Sequence, residues 1–372
     1  MKQYIKLAVR ELLDTDKLKV EVVLQNKKDY RKNPFRLTYN KFIMLLQRKI
    51  VPCHLKNLIL RTTGMKVGHD ACVPHDIRMD AYFPELIYLE KGCLVGGESD
   101  LITHEIKGDK LILGKNILRE RTLMGGLSFM RPGSVIGKNS ILNMYADLDK
   151  EIPEGELWSG SPAVSVMKFT PEDIDKFFKP SNGKYKEYYK EFRQKVRSFM
   201  KDPSQTYFKI YYNGKRLNAG NDWWRARNYF RIWYNGAIME FTRLLGHSWF
   251  KTLLYRMIGV KIGKNVKIGK GVVFDHIFCD TITIEDNAVL DDYVYIDGHE
   301  YTMTQTVFGK TKIKKGAHLK HHAYIRTGTT VGENTIIEPH SMCQREIPAN
   351  EVWGGNPAKL IRKPFINEVK KN

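Results

Sequence analysis

The chain has 372 residues, 61 Lys and Arg against 41 Asp and Glu, and a formal net charge of +20. That length leaves room for two domains, and five scattered cysteines with no CxxC pair exclude a disulfide scaffold and fit a reducing cytosol. No stretch approaches 18 uninterrupted apolar residues, which argues against a membrane-spanning helix, and the charge-interrupted amino terminus MKQYIKLAVRELLD is not expected to act as a signal peptide.

In chain order, FRLTYNKFIM (residues 35–44) predicts an amphipathic helix, because Phe35, Tyr39, Phe42, Ile43 and Leu46 recur at three- and four-residue steps among Arg and Lys. A second helical run, HLKNLILRTTG, closes on Gly64. Beyond it the aliphatic residues return every six positions: Val67, Val73, Met79; Leu89, Val95, Leu101; Leu118, Met124, Met130, Ile136, Leu142 and Leu148. A period of six is the signature of a parallel β-helix, in which each six-residue strand and turn forms one face of a prism and the inward aliphatics stack in columns. A β-sandwich would instead place inward residues at every second position. The register breaks first between Met79 and Leu89 and again, by 17 residues, between Leu101 and Leu118, and this longer excursion begins at the His104–Glu105 pair of DLITHEI. Residues 169–220, rich in Lys and Tyr, read as a helical linker through EDIDKFFKP and KYKEYYKEFRQKVRSFM.

From residue 221 the whole pattern returns at a fixed offset of 195 residues. FRIWYNGAIM (230–239) repeats FRLTYNKFIM with six identities in ten positions, and WFKTLLYRMIG repeats the second helix. The hexads recur at Ile262, Ile268, Phe274; Ile284, Leu290, Ile296; Ile313, Leu319, Ile325, Val331, Ile337 and Cys343, and the His-Glu pair recurs as His299–Glu300 in VYIDGHEYT. Gly64 matches Gly259, Trp158 matches Trp353, and Pro162 matches Pro357. The expected organisation is therefore residues 1–168, a helical lead-in with a first β-helix over about 64–163; the linker 169–220; and 221–372, a second lead-in with a β-helix over about 259–358 and a closing loop. Twelve hexads per unit make about four three-sided coils, roughly 19 Å tall at a strand spacing of about 4.8 Å.

The segment VGENTIIEPHSMCQREIPANEVWGGNPAKLIRK (331–363) resembles the last coil and closing loop of acetyl-coenzyme A dependent hexapeptide-repeat acyltransferases, and IGKNSILNMYADLDKEIPEGELWSGSPAV (136–164) is a looser copy. FPELIYLEKG and THEIKGDKLILGKN also resemble the paired hexapeptide regions at the carboxyl ends of polylysine-type nonribosomal peptide synthetases. The resemblance implies a mainly β fold, two tandem left-handed parallel β-helices each preceded by α-helices. It also implies transfer of an acyl group, acetyl first among the choices, from acetyl-CoA or another acyl-CoA to a hydroxyl or amine of a sugar, amino acid or lipid-linked acceptor, with no metal. The general base it implies is His299, with His104 as its counterpart; an imidazole is mostly neutral at pH 7 and able to accept a proton. Glu300 and Glu105 either hold the imidazolium or solvate the loop, and Asp275 and Asp80, just before a break in the hexad register, either bind acceptor or are solvated loop residues. For the donor, Trp353, Gly355, Asn356, Pro357 and Ala358 shape the closing loop, and Lys359, Arg362 and Lys363 offer cations to the coenzyme A phosphates. The first unit reads WSGSPAVSVMK there, with Val164 opposite Lys359 and only Lys168 retained nearby, so the donor is expected at the second unit. Family members trimerise with sites between prisms, so a homo-oligomer, or pairing of the two β-helices of one chain, is expected.

Other readings compete. His318, His321 and His322 in AHLKHHAY suggest a zinc carbonic-anhydrase-like site, but the first unit has Leu123, Gly126 and Leu127 at the matching positions. A non-catalytic scaffold and a carrier-protein-dependent acyl or aminoacyl transferase are the further alternatives. Nucleic acid is the generic partner of so basic a chain, yet no recognition motif accompanies the charge. An acidic acyl carrier protein fits it, and so does an anionic membrane surface, since four of the six tryptophans lie among Arg and Tyr in residues 222–256. The expected location is the cytoplasm, with peripheral contact at the inner face of the membrane.

Overall fold

Of the 24 hexad positions, 23 are buried and Ile262 is half-buried, which places the six-residue period on the inside of two prisms. The computed structural model describes residues 1–179 and 183–364 and divides into two units. The first comprises Met1–Gly183 with Tyr212–Asn221 and Thr302–Thr304; the second comprises Lys184–Tyr211, Asp222–Tyr301 and Gln305–Asn372. The stretch 169–220 is thus divided between them.

In the first unit, helices α1 (Gln3–Asp14), α2 (Pro34–Gln47) and α3 (His54–Arg61) precede the prism and α4 (Pro171–Phe178) follows it. The three faces are parallel sheets. One of them stacks Arg78–Met79, Asp100–Leu101, Phe129–Met130 and Asp147–Leu148 in register, so that Met79, Leu101, Met130 and Leu148 form one inward column. In the second unit, α5 (Tyr185–Lys201), α6 (Tyr229–Thr242) and α7 (Trp249–Met257) precede an equivalent prism, whose corresponding column is Phe274, Ile296, Ile325 and Cys343. The glycine that follows many inward aliphatics is required by the closeness of successive coils. A Cβ on Gly137 would lie 2.5 Å from the Ile152 carbonyl oxygen, and one on Gly332 would lie 2.4 Å from the Ala349 nitrogen.

Both 17-residue excursions are antiparallel hairpins. The first pairs His104–Lys107 with Lys110–Gly114, and Lys19–Val23 adds a third strand. The second pairs His299–Tyr301 with Gln305–Gly309, and Tyr207–Tyr211 adds a third strand. Lys19 lies opposite Gly114 and Tyr207 opposite Gly309, so the added strands occupy the same register. Each follows a helix with the same buried spacing, Ile5, Val9 and Leu12 in α1 and Phe192, Val196 and Phe199 in α5. The duplication therefore includes a helix-strand preface, slipped by several residues against the 195-residue offset.

A buried lysine ties the helical lead-in to each prism. The Lys251 ammonium donates to the carbonyls of Leu245 (3.0 Å) and Gly269, and Lys56 donates to Ile50 (2.9 Å) and Pro74 (2.5 Å). Both side chains are fully buried. Lys251→Met, which keeps the volume and leaves two carbonyls without their donor, is expected to cost about 1–3 kcal/mol, read as a lower melting temperature. An unchanged melting temperature would show that the tie contributes nothing net.

Candidate active site

His299 opens its hairpin at the edge of one prism face, where the chain leaves the regular coil after Ile296. Parallel stacking of the coils sets Phe274 beside Ile296, and Asp275 therefore stands one coil below the start of the hairpin. The Asp275 carboxylate makes a short hydrogen bond to His299 Nδ1. It also accepts from the backbone N–H groups of Ile277 (2.7 Å), Phe278 (2.8 Å) and Gly298 (2.9 Å). Asp275 is buried, 1% exposed. Burial by itself would push its carboxyl up, but the His299 imidazole and the backbone donors outweigh that and hold it down at about 2. With Nδ1 occupied, Nε2 is the ring nitrogen without a hydrogen-bond partner among the described residues.

The first unit builds the same pair. Asp80 bonds to His104 Nδ1 and accepts from Thr103 Oγ1 (2.8 Å), Thr103 N–H (3.1 Å) and Tyr82 N–H (2.7 Å). Its carboxyl is also lowered, burial being overcome by His104, Thr103 and the Tyr82 N–H. The glutamate beside each histidine faces elsewhere. Glu300 takes Arg326 in a two-pronged contact and Glu105 takes Arg131 at 2.9 Å, so each glutamate fastens the hairpin to a prism strand. The carboxylate that contacts the imidazole is the aspartate.

Packing fixes the ring planes. Phe278 meets His299 edge-on at 5.4 Å and Phe308 at 4.9 Å, and Phe308 in turn packs on Phe192 and Phe199 of α5. The preface helix thereby supports the imidazole through two aromatic layers. In the first unit Phe83, at the position matching Phe278, lies 5.5 Å from His104.

The units differ beside the pair. Asp297 is half-buried against the Tyr324 hydroxyl, and desolvation together with the nearby Asp275 charge pushes its carboxyl well above the usual range. Ile102 and Phe129 occupy the matching positions of the first unit. Sequence reasoning passed over Asp297 and Tyr324, although alignment of the two units exposes both as polar replacements of an apolar pair.

The closing loops fold as hairpins, Glu156–Ser159 with Val164–Lys168 and Val352–Gly354 with Lys359–Arg362. Trp353 Nε1 donates to Glu351 (2.8 Å), which also pairs with Lys363 (2.6 Å); Trp158, Glu156 and Lys168 form the same knot. Lys363 is therefore matched by a cation in the first unit, whereas Lys359 and Arg362 are matched by Val164 and Met167. Gly355, Pro357 and Lys359 are exposed, while Asn356 and Ala358 are half-buried. In the histidine cluster, His322 stacks between Tyr293 (5.0 Å) and His340 (4.8 Å), and His318 bonds to Asp291 (3.0 Å). Among the described residues no group of three His, Cys, Asp or Glu side chains is placed to hold a metal ion. No described helix is long and apolar enough to cross a membrane.

No family model matches the chain. It is 24% identical over 366 residues to a delta-poly-L-ornithine synthetase of Acinetobacter baumannii, an alignment covering 82% of this chain and 27% of that protein. The chain thus spans about a quarter of that relative's length. YvoF of Bacillus subtilis, an acetyltransferase by name, is 25% identical over 154 residues, 41% of this chain and 88% of that one. WcaF of Escherichia coli, by name a colanic acid biosynthesis acetyltransferase, is 27% identical over 149 residues, 32% and 78% of the two chains. The stacked hexads of each unit, with a histidine on the excursion, define the class as parallel β-helices of hexapeptide repeats. Over these stretches the chain is similar to hexapeptide-repeat acetyltransferases.

Proposed function

We propose that the second unit transfers an acyl group, acetyl foremost, from coenzyme A to the hydroxyl or amine of a sugar, amino acid or lipid-linked acceptor. The observation that carries this reading is the Asp275–His299 pair, oriented through Nδ1 and offering Nε2. The acceptor gives its proton to Nε2 as its oxygen or nitrogen attacks the thioester carbonyl. The tetrahedral intermediate then expels the coenzyme A sulfur, which takes the proton back from Nε2. Asp275 stabilises the imidazolium formed between the two steps. Glu300 and Glu105 act by anchoring the hairpins rather than by touching the ring.

The donor lies along the closing loop, with Trp353, Gly355, Asn356, Pro357 and Ala358 against its chain and Lys359 and Arg362 toward its phosphates. Thiol release from acetyl-CoA across hydroxyl and amine acceptors tests the reading: release that depends on an acceptor supports it, and none with any acceptor class overturns it. Charge-assisted contacts to phosphate are worth about 1.5–3 kcal/mol, so Lys359→Ala with Arg362→Ala is expected to raise the donor KM about ten-fold or more and leave the acceptor KM nearly unchanged. An unchanged donor KM would place the donor elsewhere. The match to a polyornithine synthetase favours a second reading, in which the donor is an acyl or aminoacyl thioester on an acidic carrier protein. Release from a loaded carrier but not from free acyl-CoA would select it.

A further inference from the structure

Helices α6 and α7 close the open end of the second prism and still leave an apolar face in water. On the inner side, Met239 and Tyr255 join the prism core at 0% exposure. On the outer side, Phe230, Trp233, Leu244 and Trp249 are 81%, 72%, 73% and 78% exposed, with Phe241 and Leu253 also exposed beside them. Isolated apolar side chains are ordinary on a surface, but three on α6, two on α7 and Leu244 in the turn between them form a patch of the kind that marks an interaction site.

The charge beneath that patch is one-sided. The first coil, on which α7 lies, carries Lys261, Lys264, Lys267 and Lys270, all exposed and none in an ion pair among the described residues. Residues 260–274 contain no acidic side chain, and within α6 and α7 Glu240 is the only one, paired to Arg243. The next coil carries four carboxylates, each engaged: Asp286 and Asp292 accept from the backbone N–H groups of Lys264 and Lys270, Glu285 accepts from the Lys315 N–H, and Asp291 bonds to His318. The first unit differs. Its α2 and α3 also expose Phe35, Leu45 and Leu55, but its first coil sets Lys66 and Arg78 among Asp70 and Asp76.

We propose that the α6–α7 face of the second unit docks on an anionic membrane surface. Phe230, Trp233 and Trp249 enter the headgroup layer, where amphipathic aromatic rings are favoured, and the four lysines lie against lipid phosphates. A second copy of the chain is disfavoured as the occupant because it would bring two unpaired lysine rims together. The docking does not depend on the catalytic reading.

The test is sedimentation of the full chain with phosphatidylcholine vesicles, with and without phosphatidylglycerol. Binding is expected only with phosphatidylglycerol present, accompanied by a blue shift of tryptophan fluorescence. Trp233→Ser with Trp249→Ser, and separately Lys264→Glu with Lys267→Glu, are each expected to lower the partition coefficient about ten-fold or more. All four side chains are exposed, so thermal melts of both variants should match that of the parent. Failure to bind phosphatidylglycerol vesicles overturns the proposal. Binding that survives loss of both tryptophans also overturns it, since general positive charge would then suffice. A parent dimer that the tryptophan substitutions dissolve, with no vesicle binding, assigns the face to a second copy instead.

Discussion

His299→Ala is expected to lower turnover by about 100-fold or more while leaving the fold in place. The side chain lies outside the inward column that holds the prism together, and it sits on a hairpin anchored independently by Glu300 to Arg326 and by the strand Tyr207–Tyr211. The variant loses the ring contacts with Phe278 and Tyr301 and the bond to Asp275, whose carboxylate keeps its three backbone donors, so circular dichroism should match that of the parent while the melting temperature falls modestly. The loss should appear in kcat, because the imidazole acts on the proton in flight and contributes little to holding either substrate. Turnover within a few fold of the parent would remove His299 as the base. His104→Ala carries different information. The Asp80–His104 pair is as well built as its counterpart, but its closing loop lacks the equivalents of Lys359 and Arg362. If the donor needs those cations, His104→Ala should leave turnover nearly unchanged at low donor concentration, whereas a large drop would make the first unit a second working site.

The prism was readable in the amino-acid sequence because an inward position of so narrow a core admits little besides Val, Ile, Leu and Met, and because both units preserve the register without insertion or deletion from Gly64 to Pro162 and from Gly259 to Pro357. The preface was hidden by the opposite circumstance. Helices α1 and α5 share a buried spacing but stand off the 195-residue offset, since the chain between Tyr211 and α6 is longer than the chain between Val23 and α2, and the two helices bury different residue types, Ile, Val and Leu in one and Phe, Val and Phe in the other. The partner of the histidine was obscured by a third effect. Glu300 is adjacent in sequence, but consecutive residues of a strand point to opposite sides, so the glutamate turns to Arg326. Asp275 comes to the imidazole only through the stacking of one coil on the next, a relation set by register across 24 residues. The donor loop is a mixed case: the Trp-Gly-Gly-Asn-Pro-Ala run is visible in sequence, while the engagement of Lys363 by Glu351 is a feature of the folded hairpin.

Asp275→Asn should abolish most activity while sparing the fold, and Asp275→Ala should damage both. In the alanine variant the N–H groups of Ile277, Phe278 and Gly298 lose their acceptor in a site that is almost fully buried, at about 1–3 kcal/mol for each group left unsatisfied, so a large fall in melting temperature is expected. Asparagine keeps one oxygen for the Ile277 and Phe278 donors, but its amide group points N–H bonds at the Gly298 N–H and at Nδ1 of His299. The imidazole then accepts at Nδ1 and carries its proton on Nε2, the tautomer that cannot take a proton from the acceptor, so turnover should fall about 1,000-fold or more. Acid supplies a second readout. The folded carboxyl of Asp275 lies at about 2, below the roughly 3.9 of an unfolded aspartate, so the unfolded chain binds the proton more readily. The carboxylate therefore adds stability that is fully present above about pH 4 and is lost as the pH falls through about 2. The gap in melting temperature between parent and Asp275→Asn should be widest above pH 4 and close on acidification toward pH 2. A gap independent of pH over that range, or an asparagine variant with turnover near that of the parent, would show that Asp275 neither holds its charge against the imidazole nor sets the tautomer of His299.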